Sequence, residues 1–245
     1  MAAGTLVVLA DEAALAEAVA ARFVAAARAA IAARGRFDVA LSGGSTPKAM
    51  YALLAEPPLR AAVPWERVRF FFGDERCVPP DDPESNYKTA RDGLLQPLGI
   101  AAAQVFRMRG EDEPAAAARA YAEVLQREAG ALPVFDLVLL GMGPDGHTAS
   151  LFPGSDPLTD DDALVRAPWV EKFSTFRITL TPKVINAARE VAIAAGGAAK
   201  AAVLREVREG PYAPVEHPIE IVNPNDGVLT WFVDRAAASA LSALR

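Results

Sequence analysis

Short apolar segments alternate with helix-like segments along almost the whole chain, and this order limits the folds that the chain can adopt. Strands are predicted at Leu6–Leu9, Phe37–Leu41, Val68–Phe72, Val134–Leu140, Arg177–Leu180, Glu190–Ala195 and Trp231–Val233. Helices are predicted at Asp11–Arg34, from Thr46 to about Leu54, near Asn86–Leu95 and Glu113–Glu128, after Thr181, around Lys200 and after Asp234. This alternation predicts an α/β fold, with a mostly parallel, twisted, Rossmann-like sheet covered by helices on both faces.

Local signals mark where several helices begin and end. Gly35 is expected to end the first helix. Thr46 followed by Pro47 predicts an N-cap with proline at the first helical position, and Thr181 before Pro182 repeats that pattern. Asp234 is predicted to cap the C-terminal helix.

The chain is predicted to form a single domain over residues 1–245. Its length allows one large α/β domain or two small ones, and 52% hydrophobic residues suffice for a sizeable core. Neither an internal repeat nor a convincing linker divides it. The proline-rich stretches Val78–Pro83 and Pro211–Pro224 are interpreted as surface loops.

Charge and cysteine content exclude several classes of protein. A net charge of −6 gives no general attraction for nucleic acid or for an anionic membrane, so an anion would need a local cluster of donors. No apolar run approaches the ~18 residues that span a bilayer, and acidic residues soon follow the apolar N-terminus. With Cys77 alone, no intramolecular disulfide can form. A soluble, cytoplasmic protein is expected.

A glycine-rich segment, Ser42-Gly43-Gly44-Ser45-Thr46, lies between a predicted strand and a predicted helix. Backbone N–H groups and hydroxyls there could converge on an anion at the helix N-terminus. The segment lacks the lysine ending of a P-loop and the spacing of a dinucleotide fingerprint. Phosphate binding and a simple glycine turn therefore both remain open.

One of only two histidines follows a predicted buried strand, in Asp145-Gly146-His147. Ligands of open α/β sheets bind at the carboxyl ends of strands, and imidazole suits proton transfer near neutral pH. His147 is therefore the first candidate for a catalytic base, the alternative being an ordinary loop histidine. A metal site is weakly supported, because zinc would need more His or Cys ligands at close spacing. His217, between Glu216 and Pro218, is interpreted as structural or incidental.

Other charged residues are weaker candidates on their own. Asp74-Glu75-Arg76 also follows a strand and could tune pKa values or recognise hydroxyls and phosphate, although surface charge runs are often only solvated. Arg177 begins a strand and Lys200 follows Gly197, which repeats the anion-binding pattern of glycine before a helix. Cys77 is interpreted as a packed thiol.

Taken together, these segments resemble the 6-phosphogluconolactonase family over nearly the whole chain. The matching motifs, in order, are LSGGSTP at Leu41–Pro47, FFGDERCVP at Phe71–Pro79, SNY at Ser85–Tyr87, LLGMGPDGHTASLFPG at Leu139–Gly154, RITLTP at Arg177–Pro182 and WFVDRAA at Trp231–Ala237. The chain departs from the family at Gly196-Gly197, where a single Thr-Gly is more usual.

The resemblance implies hydrolysis of 6-phospho-D-glucono-1,5-lactone in the oxidative pentose phosphate pathway, without a metal or organic cofactor. It implies that His147 activates water, that Asp145 orients the histidine or binds sugar hydroxyls, that Glu75 binds the substrate, and that Arg76 serves the phosphate or the oxyanion. Whether Asp145 or Glu75 supports His147 stays open. The phosphate would be held by the segment Ser42–Thr46 (Ser42, Gly43, Gly44, Ser45, Thr46) with Arg177 and Lys200, and Asp74 would lie in the binding site. The partner is then a small sugar-phosphate lactone, and the oligomeric state stays open between a monomer and a small homo-oligomer.

Two alternatives remain. Glucosamine-6-phosphate deaminases resemble this chain in the glycine segment, in an Asp-Glu pair and in GxDGH, but they carry Phe-Asn-Glu-Pro where this chain has Ser150–Pro153. A non-catalytic sugar-phosphate sensor would be expected to carry a DNA-binding helix-turn-helix, for which the acidic chain offers no basic extension.

Overall fold

The computed structural model describes residues 4–155 and 162–242. Its strands are β1 (Thr5–Leu9), β2 (Phe37–Leu41), β3 (Val68–Phe72), β4 (Asp74–Arg76), β5 (Leu137–Gly141), β6 (Val165–Arg166), β7 (Trp169–Val170), β8 (Thr175–Leu180), β9 (Glu190–Ala195) and β10 (Val228–Asp234). Its α-helices are α1 (Glu12–Arg34), α2 (Ser45–Ala55), α3 (Asn86–Ala90), α4 (Gln96–Leu98), α5 (Pro114–Ala129), α6 (Pro182–Asn186), α7 (Ala201–Glu209) and α8 (Arg235–Ala238).

A parallel sheet forms the centre of the described part of the chain. Its six strands follow the order β1-β10-β9-β5-β2-β3, and every neighbouring pair is parallel. β2 and β9 are buried at every position. Because successive side chains of a strand point to opposite faces, such strands must be covered on both faces. The predicted α/β architecture is confirmed.

A second, antiparallel sheet was not predicted. β8 pairs antiparallel with β4, β6 and β7, so the predicted strand Arg177–Leu180 lies outside the central sheet and begins two residues earlier. β4 is Asp74-Glu75-Arg76, which the sequence shows only as a charged cluster after a strand. A strand of three charged residues carries no apolar alternation, and pattern alone cannot identify it.

Most predicted helix ends are confirmed, with one correction. Gly35 ends α1 with φ 77°, and Asp234 accepts a hydrogen bond from the N–H of Ala237 at 2.7 Å as the cap of α8. The prediction that Thr46 caps α2 is wrong, because the helix begins at Ser45 and Gly44 is its N-cap, without a side-chain cap. Gly44 has φ 109°, which glycine adopts without strain, and Pro47 then lies in the first turn, where its missing N–H costs nothing.

Two further boundaries differ from the prediction. The strand expected from Val134 begins at Leu137, because Val134 is 40% exposed and Asp136 is instead bonded to the Arg34 guanidinium at 2.6 Å. The stretch Pro211–Pro224 is not wholly a surface loop, since Ile219 and Glu220 within it are buried. None of the described helices is long and apolar enough to cross a membrane.

Candidate active site

A cavity of about 220 Å³ lies at the carboxyl ends of the central parallel strands. Parallel strands end at one edge of the sheet, so segments far apart in sequence meet there. The cavity is lined by Ser42, Gly43, Gly44, Ser45, Thr46, Pro47, Asp74, Arg76, Asn86, Gly141, Met142, Gly143, Pro144, His147, Ala149, Ala194, Ala195, Gly196 and Lys200. Four of the predicted segments therefore share one cavity.

The glycine segment after β2 lines the cavity over residues 42–47, which include the N-terminus of α2. Because no side chain caps α2, its first backbone N–H groups lack the partner that a cap supplies. Ser42 Oγ is buried and has no hydrogen-bond partner among the described residues. An anion would find oriented donors and the positive end of a helix dipole here.

His147 is held by Asp145. Its Nδ1 lies 2.5 Å from Asp145 Oδ1, and Lys172 Nζ lies 2.8 Å from Asp145 Oδ2. Burial alone would raise the pKa of Asp145, but the hydrogen bonds from Lys172 and His147 outweigh it and hold that pKa well below its usual range. The carboxylate therefore stays ionised and fixes the imidazole.

The turn that carries this pair depends on glycine at Gly143 and Gly146. A Cβ atom at Gly143 would lie 1.9 Å from His147 Nδ1, so a side chain there would displace the ring. Gly146 has φ 78°, a conformation that other residues rarely adopt. These glycines let the backbone approach the imidazole closely.

Phe152 packs against the histidine ring. The two ring centroids are 4.3 Å apart with the planes 22° from parallel, and Phe173 meets Phe152 edge-on at 5.8 Å. Phe152 is 8% exposed, so the face of the imidazole that it covers is shielded from solvent. The stack restricts rotation of the imidazole, as the bond to Asp145 does.

β4 divides its three residues between the cavity and the interior. Asp74 and Arg76 line the cavity, whereas Glu75 is buried and accepts hydrogen bonds from the N–H groups of Asn86 and Tyr87. Burial raises the pKa of Glu75, although these hydrogen bonds oppose that shift. Of the two candidates to support His147, Asp145 contacts it and Glu75 instead holds the start of α3.

Arg177 lies next to the cavity rather than on its lining. It is directly opposite Arg76 in the pairing of β4 with β8, and its guanidinium lies 5.3 Å from the centroid of the Phe173 ring. Burial, and secondarily the charge of Arg76, lower the pKa of Arg177. A phosphate contact by Arg177 remains a prediction. Cys77, the next residue after Arg76, is a packed thiol whose pKa burial raises to about 11.

Lys200 lines the cavity, but the glycine before it is engaged elsewhere. Lys200 Nζ donates to the Met142 carbonyl at 2.6 Å, and burial lowers its pKa. The N–H of Gly197 donates to the Asp234 carboxylate at 2.9 Å. The second glycine segment therefore brings a cation to the cavity, as expected, but the N–H of Gly197 is not free to bind an anion as the first segment's donors are.

Three residues at the site were not singled out as candidates. Asn86 lies inside the motif SNY and Phe152 near the end of the motif LLGMGPDGHTASLFPG, so these motifs could have indicated them. Lys172 has no sequence signal, because only the fold brings it to Asp145. Within the described ranges, no group of three or more His, Cys, Asp or Glu side chains could hold a metal ion. His217 packs against Gly146 and lies 3.2 Å from Glu206, consistent with a structural role.

Comparison with known proteins gives one consistent family. Residues 10–231 match the family described as glucosamine-6-phosphate isomerases/6-phosphogluconolactonase. A 6-phosphogluconolactonase of Haemophilus influenzae is 38% identical over 205 residues, covering 83% of this chain and 87% of that protein. A solved 6-phosphogluconolactonase from Trypanosoma cruzi superposes with a TM-score of 0.88 at 32% identity, covering 99% of this chain and 98% of that one.

The fold extends to the deaminase branch of the family. A monomeric glucosamine-6-phosphate deaminase superposes with a TM-score of 0.80 at 20% identity, covering 96% of this chain and 99% of that one. At that identity the likeness shows the fold alone. From the matched span and the relatives together, the chain belongs to the glucosamine-6-phosphate isomerase/6-phosphogluconolactonase family.

Proposed function

We propose that the protein hydrolyses 6-phospho-D-glucono-1,5-lactone to 6-phospho-D-gluconate, with His147 as the general base. The observation that carries the proposal is the His147–Asp145 pair, whose imidazole lines the same cavity as the uncapped N-terminus of α2. A base and an anion site in one cavity suit a substrate that carries both an electrophilic carbon and a phosphate. Relatives named 6-phosphogluconolactonase support the choice of lactone.

The contact with Asp145 assigns the two ring nitrogens of His147. A neutral imidazole that donates Nδ1–H to the carboxylate leaves Nε2 as an acceptor for a proton from water. The water oxygen then attacks C1 of the lactone, and the carbonyl oxygen becomes an oxyanion. When the C1–O5 bond breaks, the imidazolium returns its proton to the departing ring oxygen.

The cations of the cavity have separate tasks in this proposal. The 6-phosphate binds to residues 42–46 at the helix N-terminus, with Lys200 as its partner cation. Arg76 stabilises the negative charge that develops on the carbonyl oxygen, because its side chain lies on the cavity lining. The charges of Arg76 and Arg177 repel each other, so the pair favours an anion nearby. Asp74, which also lines the cavity, contacts the sugar.

The test is hydrolysis of freshly prepared lactone followed above its spontaneous rate, without added metal. We expect His147→Ala to lower kcat by about 10²–10⁴-fold, which is the usual contribution of general base catalysis. Binding of 6-phosphogluconate, measured by calorimetry, should change little. The melting temperature of the variant serves as the control for folding.

Two results would contradict the proposal. If the native protein does not accelerate lactone hydrolysis, the function is wrong. If His147→Ala weakens product binding as strongly as it slows turnover, His147 is a recognition residue and another group must activate water.

A further inference from the structure

The Asn86 side chain has a buried oxygen with no partner. Asn86 is 2% exposed, and its Oδ1 accepts no hydrogen bond from any described residue. Buried polar atoms of folded proteins are nearly always hydrogen-bonded, so an orphaned one calls for an explanation. Asn86 lines the cavity that holds His147.

Neighbouring groups fix which end of the amide is the oxygen. Asn86 Nδ2 donates to the Asp74 backbone carbonyl at 3.0 Å and to Asp74 Oδ1 at 3.1 Å. Both partners are acceptors, so the NH₂ end must face them and a flipped amide would place oxygen against oxygen. Oδ1 is therefore fixed as a pure acceptor.

The glycine segment leaves room for this amide. A Cβ atom at Gly43 would lie 1.8 Å from Asn86 Oδ1, so only glycine lets the two segments approach this closely. Asp74 is held from its other side by Ser150 Oγ, which donates to Oδ2 at 2.7 Å. The amide thus lies in a rigid network between residues 42–46, β4 and the segment after His147.

We propose that Asn86 determines substrate specificity by accepting a hydrogen bond from one secondary hydroxyl of the sugar-lactone ring. A phosphate is a poor partner, because most of a phosphate monoester is the dianion at neutral pH and has no proton to donate to this acceptor. Of the two reactants, the lytic water is the other donor, and it becomes an outcome of the test. This inference rests on the proposed lactonase function.

The test measures kcat/KM for the parent lactone and for lactones that lack the hydroxyl at C2, C3 or C4 in turn. With the native protein, we expect kcat/KM for one of the three deoxy substrates to be about tenfold or more lower, since loss of that hydroxyl leaves a buried acceptor unpaired. In Asn86→Ala that penalty should fall to within about twofold, because the acceptor itself is gone.

Ser150→Ala is the matched control. It removes the other side-chain hydrogen bond to Asp74 but keeps the amide oxygen, so it should lower activity without erasing the discrimination between hydroxyls. If Asn86 only supported Asp74, the two variants would behave alike. Melting temperatures of both variants report on folding.

Three outcomes would overturn the proposal: no hydroxyl matters to the native protein, every penalty persists in Asn86→Ala, or Asn86→Ala slows all substrates by one factor. The last result would assign Asn86 to the water. The deoxy open-chain acids are titrated in parallel, so discrimination is measured by binding even if turnover fails. A native protein that binds with discrimination but does not accelerate hydrolysis would contradict the proposed function and not the role of Asn86.

Discussion

Two glycine segments of this protein have the same position in the fold and different availability to a ligand. Residues 42–46 follow β2 and include the first two residues of α2, and residues 196–200 follow β9 and precede α7. The first segment has no side-chain cap, and every one of its residues lines the cavity. In the second, the carboxylate of Asp234 accepts the N–H of Gly197.

The difference shows that a glycine-rich turn before a helix is not by itself an anion site. Both segments offer backbone donors at a helix N-terminus, but a buried carboxylate from β10 satisfies one of them internally. What the second segment contributes to the cavity is the Lys200 side chain and the Gly196 backbone. In the proposed function, the first segment binds the phosphate by its backbone and the second by its cation.

Among changes in the two glycine segments, the largest effect should come from Gly43→Ala. Its Cβ would meet Asn86 Oδ1 at 1.8 Å, so the amide must leave its hydrogen bonds to Asp74 or the segment must move. We expect kcat/KM for the lactone to fall about 100-fold, as is typical for a displacement of roughly 1 Å in a site. Steady-state kinetics measures the change.

Gly197→Ala is the matched control in the second segment. Its φ of 89° makes alanine strained, so unfolding by denaturant should show a loss of about 1–2 kcal/mol. Activity should change far less than in Gly43→Ala. Equal losses of activity in both variants would mean that the two segments contact the substrate in the same way.

A smaller effect is expected from Lys200→Ala. In the proposed function the ammonium contacts the phosphate in the ground state and in the transition state alike, so KM should rise about tenfold while kcat changes little. Progress curves over a range of lactone concentrations separate the two constants. A fall in kcat at unchanged KM would place Lys200 at the reacting carbon.

The smallest effect on catalysis is expected from Asp234→Ala. This carboxylate accepts from Gly197 and from Ala237, both within the protein, so its loss should cost about 1–2 kcal/mol of stability, as for a lost helix cap. We expect kcat/KM to stay within about twofold of the native value. If phosphate affinity increases instead, the freed N–H of Gly197 can bind anions.

The central sheet was predictable because its signals are local. The predicted bounds of β2 and β9 are those of the structure, since mostly apolar runs that end just before glycines identify buried parallel strands. Helix ends at Gly35 and Asp234 follow from the chemistry of single residues. Thr46 shows the limit, because a helix beginning at Ser45 is equally compatible with the same letters.

The site was predictable in its residues more than in their contacts. His147 and Asp145 are two positions apart, so their contact needs only the glycine turn. Lys172 and Asn86 reach the site through pairings across the fold, which no local pattern encodes. For the same reason the sequence left open whether Glu75 or Asp145 supports the histidine.

The short strand β4 carries a further consequence through its pairing with β8. Side chains alternate along it, so Asp74 and Arg76 reach the cavity while Glu75 enters the interior. A slip of one residue against β8 would exchange these positions, so that Glu75 replaces Asp74 and Arg76 on the lining and the arginine moves into the interior. Whether β4 offers an anion in the cavity a positive charge is therefore set by strand register, which the hydrogen bonds that Glu75 accepts from the start of α3 secure.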